Sequence, residues 1–102
     1  MHAVLITFRA TGVCDTRADP LAQHTEALQA VPGLVMKTWL RDGETLGGFY
    51  LFATRETAEE YLASDLAKGL LAQPACTGYA VRHFAVLGEL SRATGTPQPL
   101  GA

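Results

Sequence analysis

Cysteine is scarce. Cys14 and Cys76 are the only two in 102 residues, and with no CxxC pair they form neither a disulfide framework nor a zinc site. Both are expected to be reduced thiols in a cytoplasmic protein, and no motif marks either as an activated thiolate. Histidine is nearly as sparse: His2, His24 and His83 make no HxH or HxxxH pair and have no carboxylate cluster nearby, so no bound metal is expected. Eight Lys plus Arg stand against ten Asp plus Glu, a formal charge of -2 with pI near 5.8. That balance argues against a footprint for nucleic acid or anionic lipid. No run approaches the ~18 apolar residues of a membrane span, and the N-terminal stretch lacks the basic n-region of a signal peptide. The Gly47-Gly48 pair has no GxGxxG or GxxxxGKS context, so a nucleotide cradle is not expected.

What remains is an apolar, weakly charged chain. With 48% hydrophobic and 18% charged residues it should fold, and its length leaves room for one domain. A single domain over residues 1–90 is expected, followed by a polar tail over 91–102. So short a chain leaves much surface unburied, which favours a second subunit over any remaining apolar face.

Alternation of apolar residues predicts a strand over 2–9, with Val4, Ile6 and Phe8 on one side and Leu5, Thr7 and Arg9 on the other. A loop at Thr11–Asp15 follows. Asp19-Pro20 is a helix-start pair, and Leu21, His24, Leu28 and Val31 recur at helical spacing up to the Pro32-Gly33 stop. His24 on this stripe reads as a packing residue. Period two returns over Leu34–Arg41, with Val35, Lys37, Trp39 and Arg41 on one face. Asp42-Gly43-Glu44 supplies a turn into a third strand over Leu46–Ala53, where Gly47-Gly48 suggests a bulge. Thr54 is the expected N-cap of one long helix, roughly 55–72, buried along Ala58, Tyr61, Leu62, Leu66 and Leu70 and ended by Gln73-Pro74. Its Arg55, Glu56, Glu59 and Glu60 read as a solvated face.

A fourth strand over 76–87 sets Tyr79, Val81, His83 and Ala85 against Ala80, Arg82, Phe84 and Val86. The order β-α-β-β-α-β defines an α+β, ferredoxin-like sandwich in which both helices cover one face of an antiparallel sheet. Both sides of several strands carry large apolar groups, Trp39, Tyr50 and Phe84 among them, so the uncovered face is expected to be enclosed by a second subunit.

Val31-Pro32-Gly33, Lys37-x-Trp39, Gly47-Gly48-Phe49-Tyr50-Leu51-Phe52, Ala58 with Tyr61-Leu62, and Phe84-x-Val86 with Leu90-Ser91 together resemble the YdhR monooxygenase family over most of the chain. Met36 departs from a frequent aromatic there, and the Arg41–Leu46 turn is short. The resemblance implies a ferredoxin-like fold of the dimeric α/β-barrel superfamily, a homodimer, and cofactor-independent oxidation of an electron-rich aromatic or polyketide-like compound, with no metal or organic cofactor. Leu90 is then expected to pack on the partner.

On this view Trp39 and Tyr50 position an aromatic ligand in an apolar cavity that Thr7, Phe52 and Phe84 help to line. Trp39 could instead pack at the dimer interface, and Tyr50 could be a core tyrosine with one hydroxyl partner. Arg82 would stabilise a phenolate or peroxide anion, with a rim salt bridge as its other role. His83 is the alternative, as a general base, but alternation points it away from Arg82, so both cannot line one cavity. Two other functions fit the same residues. One is a non-catalytic dimeric module that binds or senses a small molecule. The other is an isomerase or haem-degrading enzyme, for which only His83 could serve in the cavity.

Overall fold

The computed structural model describes residues 1–10, 25–71 and 76–97. The expected loop at 11–15, Cys14, the Asp19-Pro20 helix start, Leu21, His24 and the Gln73-Pro74 stop lie outside the described residues, as do the side chains of Leu70 and Cys76. The described elements are β1 (His2–Ala10), the helical residues 25–28 (α1), β2 (Leu34–Asp42), β3 (Thr45–Phe52), α2 (Arg55–Ala63), α3 (Asp65–Leu71), β4 (Cys76–Ala85) and α4 (Gly88–Ala93). The strands form one antiparallel sheet in the order β2-β3-β1-β4, which is the α+β arrangement that the alternation predicts.

Register assigns every strand residue to a face. Lys37, Tyr50, Val4 and His83 stand in one row across the sheet, and Trp39, Gly48, Ile6 and Val81 in the next. This side packs on the helices, with Val4, Ile6, Phe8, Leu46, Tyr50 and Phe52 buried against Leu28, Ala58, Tyr61 and Ala67. Met36, Leu51, Ala3 and Phe84 form a row on the opposite side, beside Thr38, Phe49, Leu5 and Arg82. A one-residue slip would turn Val4, Ile6 and Phe8 out of the core, at roughly 1.5–3 kcal/mol for each large side chain exposed. The core therefore holds the register that places every polar group discussed below.

The two local breaks in alternation fall elsewhere than at Gly47-Gly48, which pair regularly with both neighbours. One is at Leu34/Met36 in β2, which leaves Leu34 on the helix side and Met36 on the other. The second sits where Thr7 and Arg9 meet Ala80 and Thr77, and Gly78 at φ 67 takes up the extra residue of β4. Gly47 is glycine for a different reason: a Cβ there would collide with the Ile6 carbonyl oxygen on β1.

Thr54 caps α2 as expected, accepting from the Thr57 amide at 3.1 Å while the Thr57 hydroxyl accepts from the Thr54 amide at 3.3 Å. The single helix expected beyond it is two. At Ser64 the backbone turns extended and its amide donates to the Tyr61 carbonyl, while its own hydroxyl accepts from the Ala67 amide at 3.3 Å. A side chain that bonds its own backbone competes with the helix interior and favours this kind of restart.

Trp39 and Tyr50 belong to the helix side and Thr7 and Phe84 to the other, so the residues expected to line one cavity are split between the two sides of the sheet. Alternation sorts residues into two sets, and only the cross-strand register shows which set meets the helices. The expected polar tail is also partly structured. Residues 86–97, including α4, border a cleft of about 660 Å³ on the non-helix side together with Ala3, Met36, Phe49 and Leu51.

Candidate functional site

Lys37 is the one cation that the fold buries against the helix side of the sheet among the described residues. β2 directs its side chain over its own strand neighbour, so that Nζ lies 3.0 Å from the centre of the Trp39 ring and 4.6 Å from that of Tyr50. Gly48, directly across from Trp39, provides the space, since a Cβ there would stand 2.7 Å from Lys37 Cε and 3.1 Å from Tyr50 Cε1. Nζ is buried and has no hydrogen-bond partner. Attraction to an aromatic face is worth about 2 kcal/mol for a desolvated cation, which does not offset the several kcal/mol that burying an ammonium costs. Burial accordingly pulls the amine down from 10.5 to about 7.

Tyr50 forms the floor of this group. Its hydroxyl accepts from that of Tyr61 at 3.5 Å, and its ring stacks on Phe52 with the centres 6.1 Å apart. Burial, with a smaller contribution from Tyr61, pushes the Tyr50 phenol well above its usual range, and burial raises Tyr61 as well. Both phenols therefore stay protonated at neutral pH, and Lys37 alone in this group changes charge there. A cleft of about 260 Å³ opens beside Lys37 and Trp39, bounded by Thr25, Leu28, Gln29, Leu34, Val35 and Met36. No carboxylate is among its described lining.

The expected site residues divide between the two sides of the sheet. Trp39 and Tyr50 come together as a pair around Lys37. Phe52 is on the same side but fully enclosed, stacked with Tyr50 and packed on Tyr61, so it supports the site and offers a ligand no surface. Thr7, Arg82 and Phe84 face the opposite way, with the Arg82 guanidinium 5.2 Å from the Phe84 ring centre. His83 is on the helix side, as its alternation with Val81 implies, yet three strands away from Lys37, about 14 Å at ~4.8 Å per strand. Its Nδ1 meets Nε2 of His2 at 2.8 Å. His2 is buried there, which lowers its pKa with a smaller contribution from His83.

Lys37 was the residue to look for in the sequence. It shares its strand face with Val35, Trp39 and Arg41, stands two residues before the only tryptophan and lies inside the Lys37-x-Trp39 match. What alternation could not supply is the burial that leaves it without a partner.

An antiparallel four-stranded sheet with helices on one side is a ferredoxin-like α+β fold, and its polar site lies between sheet and helices. Residues 4–97 match the family described as "Putative mono-oxygenase ydhR", and the chain belongs to that family. No curated protein matches it. Among solved structures it is similar to a protein of unknown function from Nitrosomonas europaea, with 24% identity, a TM-score of 0.72, and coverage of 84% of this chain and 88% of that one. A variant of SnoaB from Streptomyces nogalater, described as a cofactor-independent oxygenase, superposes with a TM-score of 0.69 at 16% identity, over 87% of this chain and 95% of that one. MhuD, a heme-degrader from Mycobacterium tuberculosis, shares 20% identity and a TM-score of 0.58, over 83% and 95%. At these identities the likeness is one of fold. Among the described residues no helix is long and apolar enough to cross a membrane.

Proposed function

We propose that this protein is a cofactor-independent monooxygenase acting on an electron-rich aromatic or polyketide-like small molecule, with the reacting ring held against Trp39 beside Lys37. The observation that carries it is the buried, unpartnered Lys37 amine between two aromatic faces at a cleft, in a chain of a family described as mono-oxygenases. For an anthrone-type substrate the reaction balances without a reductant. The ring methylene becomes a carbonyl with one atom of O2, and its two hydrogens leave with the other as water. The protein's part is to orient the ring, exclude water and stabilise the anion from which an electron passes to O2.

Two subunits complete the proposal. Phe84, Leu87 and Leu90 are 41%, 67% and 71% exposed on or beside the side of the sheet away from the helices, where a second copy would bury them. Arg82 is then a residue of that side, over the Phe84 ring, and takes no part in the Lys37 cleft.

Oxygen uptake by metal-stripped, cofactor-free protein, measured against anthrones and dihydroxynaphthalenes, tests this. Saturable uptake that falls at least tenfold in Trp39→Ala is the expected result. Uptake no faster than the spontaneous reaction would refute it. The sparse titratable groups around the cleft favour one other function, a binding module with the same cavity. Saturable binding of the same compounds without uptake would identify that.

A further inference from the structure

We propose that Lys37 is the proton acceptor of this site, taking a proton from the acidified ring methylene of the substrate class proposed above. This rests on the oxygenase function proposed above, but only on the placement of its cavity. In the step itself a C–H bond of the methylene breaks, its electron pair moves through the ring onto the ketone oxygen, and the proton forms a new N–H bond on Nζ. Neutral amine and neutral ketone become ammonium and enolate, and no other reactant is needed.

Elimination among the described residues leads to this amine. Tyr50 and Tyr61 are buried beyond useful ionisation. His83 is bound to His2 at the far edge of the sheet, and Arg82 points to the other side of the sheet, away from the Lys37 cleft. Among the described residues, the groups facing Lys37 are the Trp39 and Tyr50 rings from β2 and β3, and Thr25 and Gln29 at the cleft, and none of these is an anion that would keep it protonated. A lysine held neutral by desolvation is a competent base near neutrality, and once protonated its charge is worth most in a place without water.

The geometry also suggests how substrate engages. Nζ covers the Trp39 ring at 3.0 Å, where a planar substrate would stack. A ring entering from the cleft displaces the amine from that face and brings the methylene beside it. The lysine stem lies where a side chain at Gly48 would otherwise stand, since a Cβ there would be 2.7 Å from Cε.

The test is hydrogen–deuterium exchange at the methylene of 1,8-dihydroxyanthrone in D2O under argon, followed by proton NMR with the full-length protein. Exchange should be accelerated by the wild type, rise with pH through about 7 and then level off. Lys37→Met and Lys37→Arg should both lose it by about a hundredfold while binding the probe within a few-fold. The arginine variant keeps the charge and cannot accept a proton, so it separates base from electrostatic support. Exchange as fast in both folded variants as in the wild type, or none in the wild type, would overturn the assignment. Exchange that depends on Lys37, with no oxygen uptake once air is admitted, would uphold it and refute the oxygenase function instead.

Discussion

Lys37 and the two glycines of the neighbouring strand, Gly47 and Gly48, show how single residues set this site. An unfolded lysine titrates near 10.5 and the folded one near 7. Between those values the unfolded chain holds a proton that the folded chain lacks, so stability rises with pH from about 7 and levels off above about 10. Below 7 both states are charged and the full cost of burying the ammonium is present. Lys37→Met should therefore be more stable than the wild type at pH 6, by roughly 1–4 kcal/mol, with a smaller difference at pH 9. Urea midpoints at the two pH values check this, and equal differences at both would contradict it. The glycines separate fold from site. Gly47→Ala sets a methyl against the backbone of Ile6 and should cost about 3 kcal/mol. Gly48→Ala meets the mobile end of Lys37, so it should fold nearly as well while slowing oxygen uptake. Thermal melts beside uptake assays distinguish the two, and a Gly48→Ala that melts as early as Gly47→Ala would show that Lys37 cannot yield.

The helices and strands were legible where one rule decides them. The Thr54 cap and the four strands follow from local chemistry that tertiary structure does not override, whereas the first helix ends at Leu28, ahead of the stop expected at Pro32-Gly33. Ser64 was missed because a serine inside an apolar stripe reads as a solvent-facing helix position, and only its bonds to Tyr61 and Ala67 reveal a break. Ser64→Ala removes the cap of α3 and should cost about 1 kcal/mol, read as a shift in the denaturation midpoint. No change would mean that the break is set by packing alone. The single cavity expected for Trp39, Tyr50, Thr7 and Phe84 is divided for the same kind of reason. Period two tells which residues share a side, and register with β1 and β3 tells which side is covered. The site was half legible: Trp39 and Tyr50 came with the family resemblance, while the importance of Lys37 depends on burial, which no spacing rule reports.

For the whole molecule, one sheet separates two environments. The helix side holds the enclosed polar group, and the other side presents Phe84, with Leu87 and Leu90 beside it, to a prospective second copy. Light scattering should give about twice the 10.9 kDa chain mass, and Leu87→Asp with Leu90→Asp should shift it toward the monomer. A monomeric wild type would refute the dimer. The central claim is that the ligand is held on the helix side, at Trp39 and Lys37, and it can be seen directly because the chain has a single tryptophan. Its indole N–H gives one signal in a nitrogen–proton correlation spectrum, which can be followed while 1,8-dihydroxyanthraquinone is titrated in. The account predicts a saturable shift of that signal, with the amides of Thr7, Arg82 and Phe84 moving little. A shift confined to Thr7, Arg82 and Phe84, with the Trp39 indole unmoved, would place the ligand on the other side of the sheet and contradict it.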